Sequence, residues 1–442
     1  MDHSGDAPVD DFVDNPIDDA EPRPNAPVSD VPVAEDTPGW KRDVVLFLTG
    51  QTVSLFGSML VQYAVMWHLT LVTKSGTVMA LAAVFGFLPQ AIVSLFSGVL
   101  ADRHNRKVLI MVADTAIALA TLTLALLLLS GITDLWLIYV TLSVRSIGAG
   151  IQTPAVGALI PQITPVSQLM RVNGINQTIQ SAMALLAPAA AGAIYASASI
   201  VSIFFVDVVT AVLGVALLAL GGVPTLPVAD ERPGYFADLT EGIRYIRRHP
   251  FLRWLLSLFA VVFLLTVAPS YLTPLMLVRT FGDEVWKLTV LEMSFSAGMV
   301  VGGLVIAIWG GFKNRIATIM VSSLLFGGLS VLMGTATNLW VFFGWMLAVG
   351  LAVPFFATPA MTIIQETVPA ERQGRVFGFM GIVMAVAMPL GMTVFGPLAD
   401  RVKVEHLLIA AGIITFVVVA AATGLPAGRR AMTAARQASS GM

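Results

Sequence analysis

The 442-residue chain contains no cysteine, so it forms no disulfide and no metal or iron–sulfur site built on thiolates. It is also poor in charge. Asp, Glu, Lys and Arg together make up 12% of the residues, about half the share found in a soluble protein. Lysine is rare, and no glycine is followed directly by lysine, which excludes a P-loop nucleotide site. Work against a gradient would therefore draw on an ion gradient or on a partner ATPase. No segment outside the apolar runs is long enough to form a separate catalytic domain. No nucleophile–base–orienter set is legible either, so the chain is not expected to be an enzyme, nor to hold a metal or bind nucleic acid.

What is abundant is hydrocarbon. Hydrophobic residues make up 57% of the chain, gathered into runs long enough to cross a bilayer. The expected class is an all-α, multi-pass membrane protein with twelve spans. These lie near 44–71, 78–100, 108–130, 135–160, 174–197, 199–220, 251–278, 288–311, 316–336, 338–364, 375–399 and 405–425. With both termini on one face, 19 of the 25 lysines and arginines fall on that face, which identifies it as cytoplasmic.

The chain divides into a tail (1–39), a six-span bundle (40–220), a linker (221–250), a second six-span bundle (251–425) and a short cytoplasmic tail (426–442). The first tail carries 11 acidic residues against the single Arg23, with many prolines, and is expected to be a disordered, retained, solvated cytoplasmic extension. In the linker, Phe236, Leu239, Ile243 and Ile246 recur at helical spacing beside Arg244, Arg247 and Arg248. This pattern predicts an amphipathic helix on the inner membrane surface. An internal repeat supports two halves: Pro165, Arg171, Val172 and Gly174 recur at an offset of 204 as Pro369, Arg375, Val376 and Gly378. Just upstream, Thr153-Pro154-Ala155 recurs as Thr358-Pro359-Ala360. Two six-helix repeats about an axis along the membrane normal would produce this pattern.

Between spans 2 and 3 stands G-V-L-A-D-R-H-N-R-K (Gly98–Lys107), expected as a short charged loop. It resembles the signature loop of the major facilitator superfamily of transporters, with Gly98, Asp102, Arg103, Arg106 and Lys107 at the matching positions. Asn105 stands where that pattern usually has a small residue. The resemblance implies a twelve-helix facilitator fold and a gating role for this loop, whose basic residues also serve as an orientation signal. Asp238–Arg253 and the first-span string Gly50–Ser58 are similar to the branch containing macrolide-efflux-type and siderophore-exporter-type antiporters.

Four ionisable groups fall within spans, where they are costly and tend to mark pathways: Asp114, Arg145, Asp207 and Glu292. Arg145, the deepest, resembles the antiporters' span-4 arginine and is expected either at the cavity or in a structural pair. Glu292 is either a proton acceptor at the outer mouth or an interfacial group paired with Lys287 or Arg279. Asp114 lies two turns above the basic loop, within reach of Arg103 or Arg106, and Asp207 is expected to make a helix-packing hydrogen bond. Gln51, Ser54, Ser58 and Gln62 form a polar stripe on span 1, as do Asn173, Gln177 and Gln180 on span 5. Such stripes line pathways or glue helices together. In the second half, Met384 and Met388 belong to a methionine stripe on span 11, with Phe355, Phe356 and Trp345 on span 10. That stripe suits either soft apolar recognition or plain packing.

A polar first wall facing an apolar second wall suits an amphipathic small molecule. The resemblance and these residues together lead to the expectation of a monomeric exporter in the bacterial cytoplasmic membrane. It would contact lipid, use no cofactor beyond a proton gradient, and move lipophilic, macrolide-like or bile-acid-like compounds by proton antiport. A carrier for one endogenous metabolite such as a siderophore, and a non-transporting membrane sensor or scaffold, are the alternatives. Gly396–Arg401 (G-P-L-A-D-R) echoes the signature loop in letters but falls on the outer face, so no latch role is expected of it.

Overall fold

A computed structural model describes residues 39–222, 243–312 and 314–424. The acidic tail before Gly39, the Phe236 and Leu239 part of the linker, and the chain after Gly424 lie outside the described residues. Twelve helices are each long and apolar enough to cross a membrane, and no strand occurs among the described residues. The first six are α1 (Trp40–Thr73), α2 (Gly76–Arg103), α3 (Arg106–Leu129), α4 (Leu135–Ile163), α5 (Leu169–Ser197) and α6 (Ile200–Leu220). The second six are α7 (Pro250–Phe281), α8 (Val285–Trp309), α9 (Arg315–Gly334), α10 (Leu339–Thr367), α11 (Ala370–Ala399) and α12 (Val404–Gly424).

All twelve expected spans are present, but their ends are set by capping rather than by hydropathy. Gly98–Lys107 is the clearest correction. α2 continues to Arg103 and α3 starts at Arg106, leaving only His104 and Asn105 between them. α3 starts there because the Asn105 side-chain oxygen accepts from the N–H groups of Lys107 (3.0 Å) and Val108 (3.4 Å), satisfying donors that a helix start leaves orphaned. The residue that departs from the family pattern is therefore the helix cap. Asn314 caps α9 in the same way, accepting from Ile316 (3.0 Å) and Ala317 (3.4 Å).

The two sets of six share one packing plan. In the first, α1 packs on α5 and α6, α2 on α4, and α3 on α4 and α6. In the second, α7 packs on α11 and α12, α8 on α10, and α9 on α10 and α12. Each pair has its counterpart six helices further on, as two sequence repeats require. The sets meet along α2 against α11 and α5 against α8. Small residues make these crossings close, since helix association in lipid relies on packing rather than on hydrophobic exclusion. At Gly76 and Gly396 a Cβ on either residue would overlap the other's carbonyl oxygen.

Candidate functional site: a cavity with a polar and an aromatic chamber

Two adjoining chambers occupy the space around these helices, sharing Gln62, Met66 and Tyr271 as their common wall. The first, about 270 Å³, is lined on the side of the first set by Ser58, Gln90, Arg145, Ser146 and Gln152. The second, about 420 Å³, is lined mainly by the second set, with Phe259, Phe295, Phe356, Met384 and Met388 around Glu292, and Tyr63 contributed by α1.

Arg145 stands both at the cavity wall and in an ion pair. It lines the polar chamber, and its guanidinium makes three hydrogen bonds. Nη1 donates to Asp207 Oδ2 and to Thr121 Oγ1, each at 2.5 Å, and Nη2 donates to the Ser58 carbonyl at 3.2 Å. Asp207 is 1% exposed and Arg145 11%, so this is a buried ion pair joining α4 to α6. The partner of Asp207 is thus a charge, a stronger bond than the packing contact expected from the sequence. Gly57 makes room for it, since a Cβ there would run into Asp207 and Thr210. Ser58 Oγ also donates to Asp207, at 3.5 Å. Asp114, buried on α3, accepts from the amide of Gln152 on α4. Arg106 donates to the Ala158 carbonyl at 2.9 Å and Lys107 to the carbonyls of Ala219 (2.9 Å) and Gly221 (2.8 Å), so both tie helix ends of the first set together. Gly98 and Asp102 lie within the last turns of α2, and Arg103 is its final residue.

Glu292 faces the aromatic chamber. The cations considered as its partners are engaged elsewhere: Lys287 with Glu284 at 2.5 Å, and Arg279 with Asp400 at 3.0 Å. That leaves a carboxyl group among phenylalanines, methionines and the rings of Tyr63 and Tyr271. An isolated carboxylate in such a place is costly unless a proton or a cation neutralises it.

The polar stripe of α1 does not act as a unit. Ser58 and Gln62 line the cavity, but Ser54 is buried against Gly214 of α6 and Gln51 contributes to neither chamber. Asn173, Gln177 and Gln180 are exposed on α5 and line neither chamber. Phe355 lies tilted against Trp309 of α8, with ring centroids 5.9 Å apart, and its neighbour Phe356 is the residue in the cavity wall. One residue of register turns a helical side chain by about 100°, enough to make this difference. The sequence reading missed Tyr63, Tyr271, Gln90 and Gln152. Aromatic and amide groups in apolar spans carry no periodic signal once the chamber is built from several helices.

The sets are tied at the bundle end opposite the termini, called here the far end. Lys74 pairs with Asp283 at 3.0 Å. Asp400 accepts from the Ser75 hydroxyl (2.9 Å) and from the N–H groups of Gly76 (2.7 Å) and Thr77 (2.9 Å). Arg279 donates to the carbonyls of Lys74 and Ala399, each at 2.6 Å. The cavity is therefore closed at the far end. Below this closure, Ser296 on α8 donates to the Ala184 carbonyl on α5 at 3.0 Å. Beyond that contact, toward the termini, α8 exposes Val300, Val301, Leu304 and Ile308. Among the described residues no group of three or more His, Asp or Glu could hold a metal ion.

Comparison with known proteins follows the same lines. The family model of the Major Facilitator Superfamily matches residues 45–392 and again 286–439. A macrolide efflux protein A of Streptococcus pyogenes is 31% identical over 377 residues, covering 84% of this chain and 93% of that protein. A multidrug efflux pump, Tap, of Mycolicibacterium fortuitum is 25% identical over 336 residues, covering 73% and 80%. Among solved structures, a bacterial homologue of the iron transporter ferroportin in an inward-facing state superimposes with a TM-score of 0.65 at 16% identity, covering 86% of this chain and 98% of that one. A bacterial homologue of the human lysosomal transporter Spinster, inward-facing and unoccupied, also has a TM-score of 0.65, at 14% identity over 90% and 98% of the two chains.

Proposed function

From the premise that this chain belongs to the Major Facilitator Superfamily, a multi-pass membrane transporter family, we propose that it is a proton-coupled exporter of lipophilic and amphipathic compounds. One observation carries this reading: among the described residues, Glu292 has no cationic partner in an aromatic and methionine-lined chamber between the two sets. Soft, polarizable walls accept apolar bodies of varied shape. The carboxyl group is neutralised alternately by a proton and by the polar or cationic end of a substrate, and that competition couples export to the proton gradient. The efflux activities for which the streptococcal and mycobacterial relatives are named fit the same reading.

In this reading the termini are cytoplasmic and the far end is extracellular, so the state described is shut to the outside. The chain works as a monomer without a cofactor. Substrate lies with its apolar body against Phe259, Phe295, Phe356, Met384 and Met388, and its hydrogen-bonding face turned across Gln62 toward the polar chamber. The Arg145–Asp207 pair keeps that chamber wall charged yet neutral in sum. Rocking of the two sets about the cavity then exposes the load to the other side.

Efflux of a lipophilic cationic fluorescent dye from cells, with and without a proton uncoupler, tests this for wild type and Glu292→Gln. The expected result is dye export that collapses with uncoupler and in the variant. Export that survives both would remove the coupling role of Glu292. No movement of any dye by well-inserted protein would favour a carrier for one metabolite.

A further inference from the structure

We propose that Asp400 is a gating residue that latches the two six-helix sets at the far end, and that it is the counterpart of Asp102 at the other end of the same helix pair. The two carboxylates would engage in alternate states of the transport cycle.

The latch is built across the interface. Asp400 caps the C-terminus of α11, in the second set, yet it accepts from Ser75, Gly76 and Thr77, which open α2 in the first set. The first N–H groups of a helix lack intrahelical partners and carry the positive end of its dipole, so a carboxylate from outside the helix satisfies both. Arg279 of α7 holds the same carboxylate and reaches over to the Lys74 carbonyl, closing the ring. Burial would push the Asp400 carboxyl up. The hydrogen bonds from Thr77, Gly76 and Ser75 outweigh it and hold the group down at about 2, so the latch stays charged at any physiological pH.

The pairing with Asp102 comes from sequence and register together. Gly396-Pro-Leu-Ala-Asp400-Arg401 repeats Gly98-Val-Leu-Ala-Asp102-Arg103 at every position but the second. The N-terminus of α2 meets the C-terminus of α11, so the two helices run antiparallel, with Gly76 against Gly396. Twenty-two residues on from Gly76 along α2 is Gly98, and twenty-two residues back from Gly396 along α11 is Gly374. The sequence thus repeats a glycine on each helix at equal offset from the Gly76–Gly396 crossing. By the same count along the sequence, Asp102 falls four residues after Gly98 and Ala370, the first residue of α11, four before Gly374, as Asp400 falls four after Gly396. Rigid sets that rock about a central cavity close one end as they open the other, and only one of the two latches is engaged at a time.

The absence of cysteine permits a direct test. In a Gln62→Cys background, whose reporter faces both chambers, labelling by a membrane-impermeant maleimide added on the far-end side reports opening at that end. The parent should label slowly. Asp400→Ala should raise the rate about tenfold or more, since removing a state's differential contacts shifts its population by that order. Asp400→Asn should do so less, because an amide oxygen still caps a helix. Asp102→Asn should lower the rate. Should Asp400→Ala fail to give a monodisperse peak on gel filtration, Asp400→Asn and the double variant Ser75→Ala/Arg279→Gln decide the matter. Unchanged far-end labelling in these variants, or an equal rise from both faces, overturns the proposal. The assay needs neither substrate nor gradient, so its outcome is separate from that of the exporter reading.

Discussion

The two six-helix sets have the same packing plan and opposite interiors. In the first set, the buried Arg145 is matched by Asp207, the Asp114 carboxyl accepts from the Gln152 amide, and the hydroxyls of Ser58 and Thr121 add hydrogen bonds to the ion pair. In the second set, the cavity wall is aromatic and thioether, and its single carboxyl, Glu292, faces the chamber without a cation. Equivalent backbones therefore carry unequal tasks. A matched buried pair fixes the geometry of its wall, because losing either member strands the other. An unmatched group in an otherwise apolar wall leaves a demand that only a mobile proton or ligand can meet.

The largest effect expected is on the matched side. Arg145→Ala should destabilise the protein by about 3–5 kcal/mol, because Asp207 is left buried without its cation. A fall in the thermal unfolding midpoint in detergent checks this, together with loss of efflux. Replacing both members by apolar residues, Arg145→Met with Asp207→Leu, should restore most of the stability but not transport. If the single variant unfolds at the parent temperature, the pair is not what holds this wall.

On the unmatched side the pattern should invert. Glu292→Gln should leave the unfolding midpoint near that of wild type while abolishing uncoupler-sensitive efflux, a loss of tenfold or more on the export rate. A Glu292→Gln protein that loses stability as much as Arg145→Ala would erase the contrast between the sets. Truncating the soft wall should matter less. Met384→Ala with Met388→Ala is expected to weaken apparent dye affinity several-fold without altering proton dependence, measured from the concentration dependence of efflux.

The smallest effects concern surfaces and caps. Asn105→Ala and Asn314→Ala should each lower stability by about 1 kcal/mol through loss of a helix cap, equally in both sets. Far-end closure should be indifferent to acid over the working range. The folded Asp400 carboxyl sits at about 2, below its ordinary 3.8. Its contribution is therefore complete above the ordinary value and is lost only as pH falls through about 2. The Asp283 carboxyl nearby is held low by its hydrogen bond to Lys74. Far-end maleimide labelling, divided at each pH by that of the denatured protein because the reactive thiolate fraction itself climbs with pH, should be flat between pH 5 and 8. A rise at pH 5 would point to a titrating group within the latch.

Much of this contrast was legible before the fold. The polar cast of the first half, the methionines and aromatics of the second, and the isolation of Arg145 and Glu292 in apolar runs are all visible in composition and position. Partners were less visible. The sequence alone points to a helix-packing hydrogen bond for Asp207 and leaves Glu292 either a proton site or half of an interfacial pair, since a cation on a neighbouring turn is as near in sequence as one across the bundle. Phe355 and Phe356 are both aromatic candidates on α10, and sequence does not say which one faces the cavity, because helical phase is lost over a long apolar run without a polar face to anchor it. The letters around Asp400 echo the signature loop but do not reveal what its carboxylate binds. Its partner is the start of α2, more than three hundred residues away in sequence.

The sequence alone determined the class, the twelve crossings and the twofold repeat, because each rests on a local property. A hydrocarbon run of sufficient length must cross as a helix that satisfies its own backbone, and duplicated spacing survives divergence. Only the tertiary structure decided which charges meet, which face of each span lines the cavity, and which end of the bundle is shut. Those depend on how rigid helices from two sets are brought side by side, and in a membrane that arrangement is chosen by a few small-residue crossings and buried polar contacts rather than by the apolar pattern the spans share.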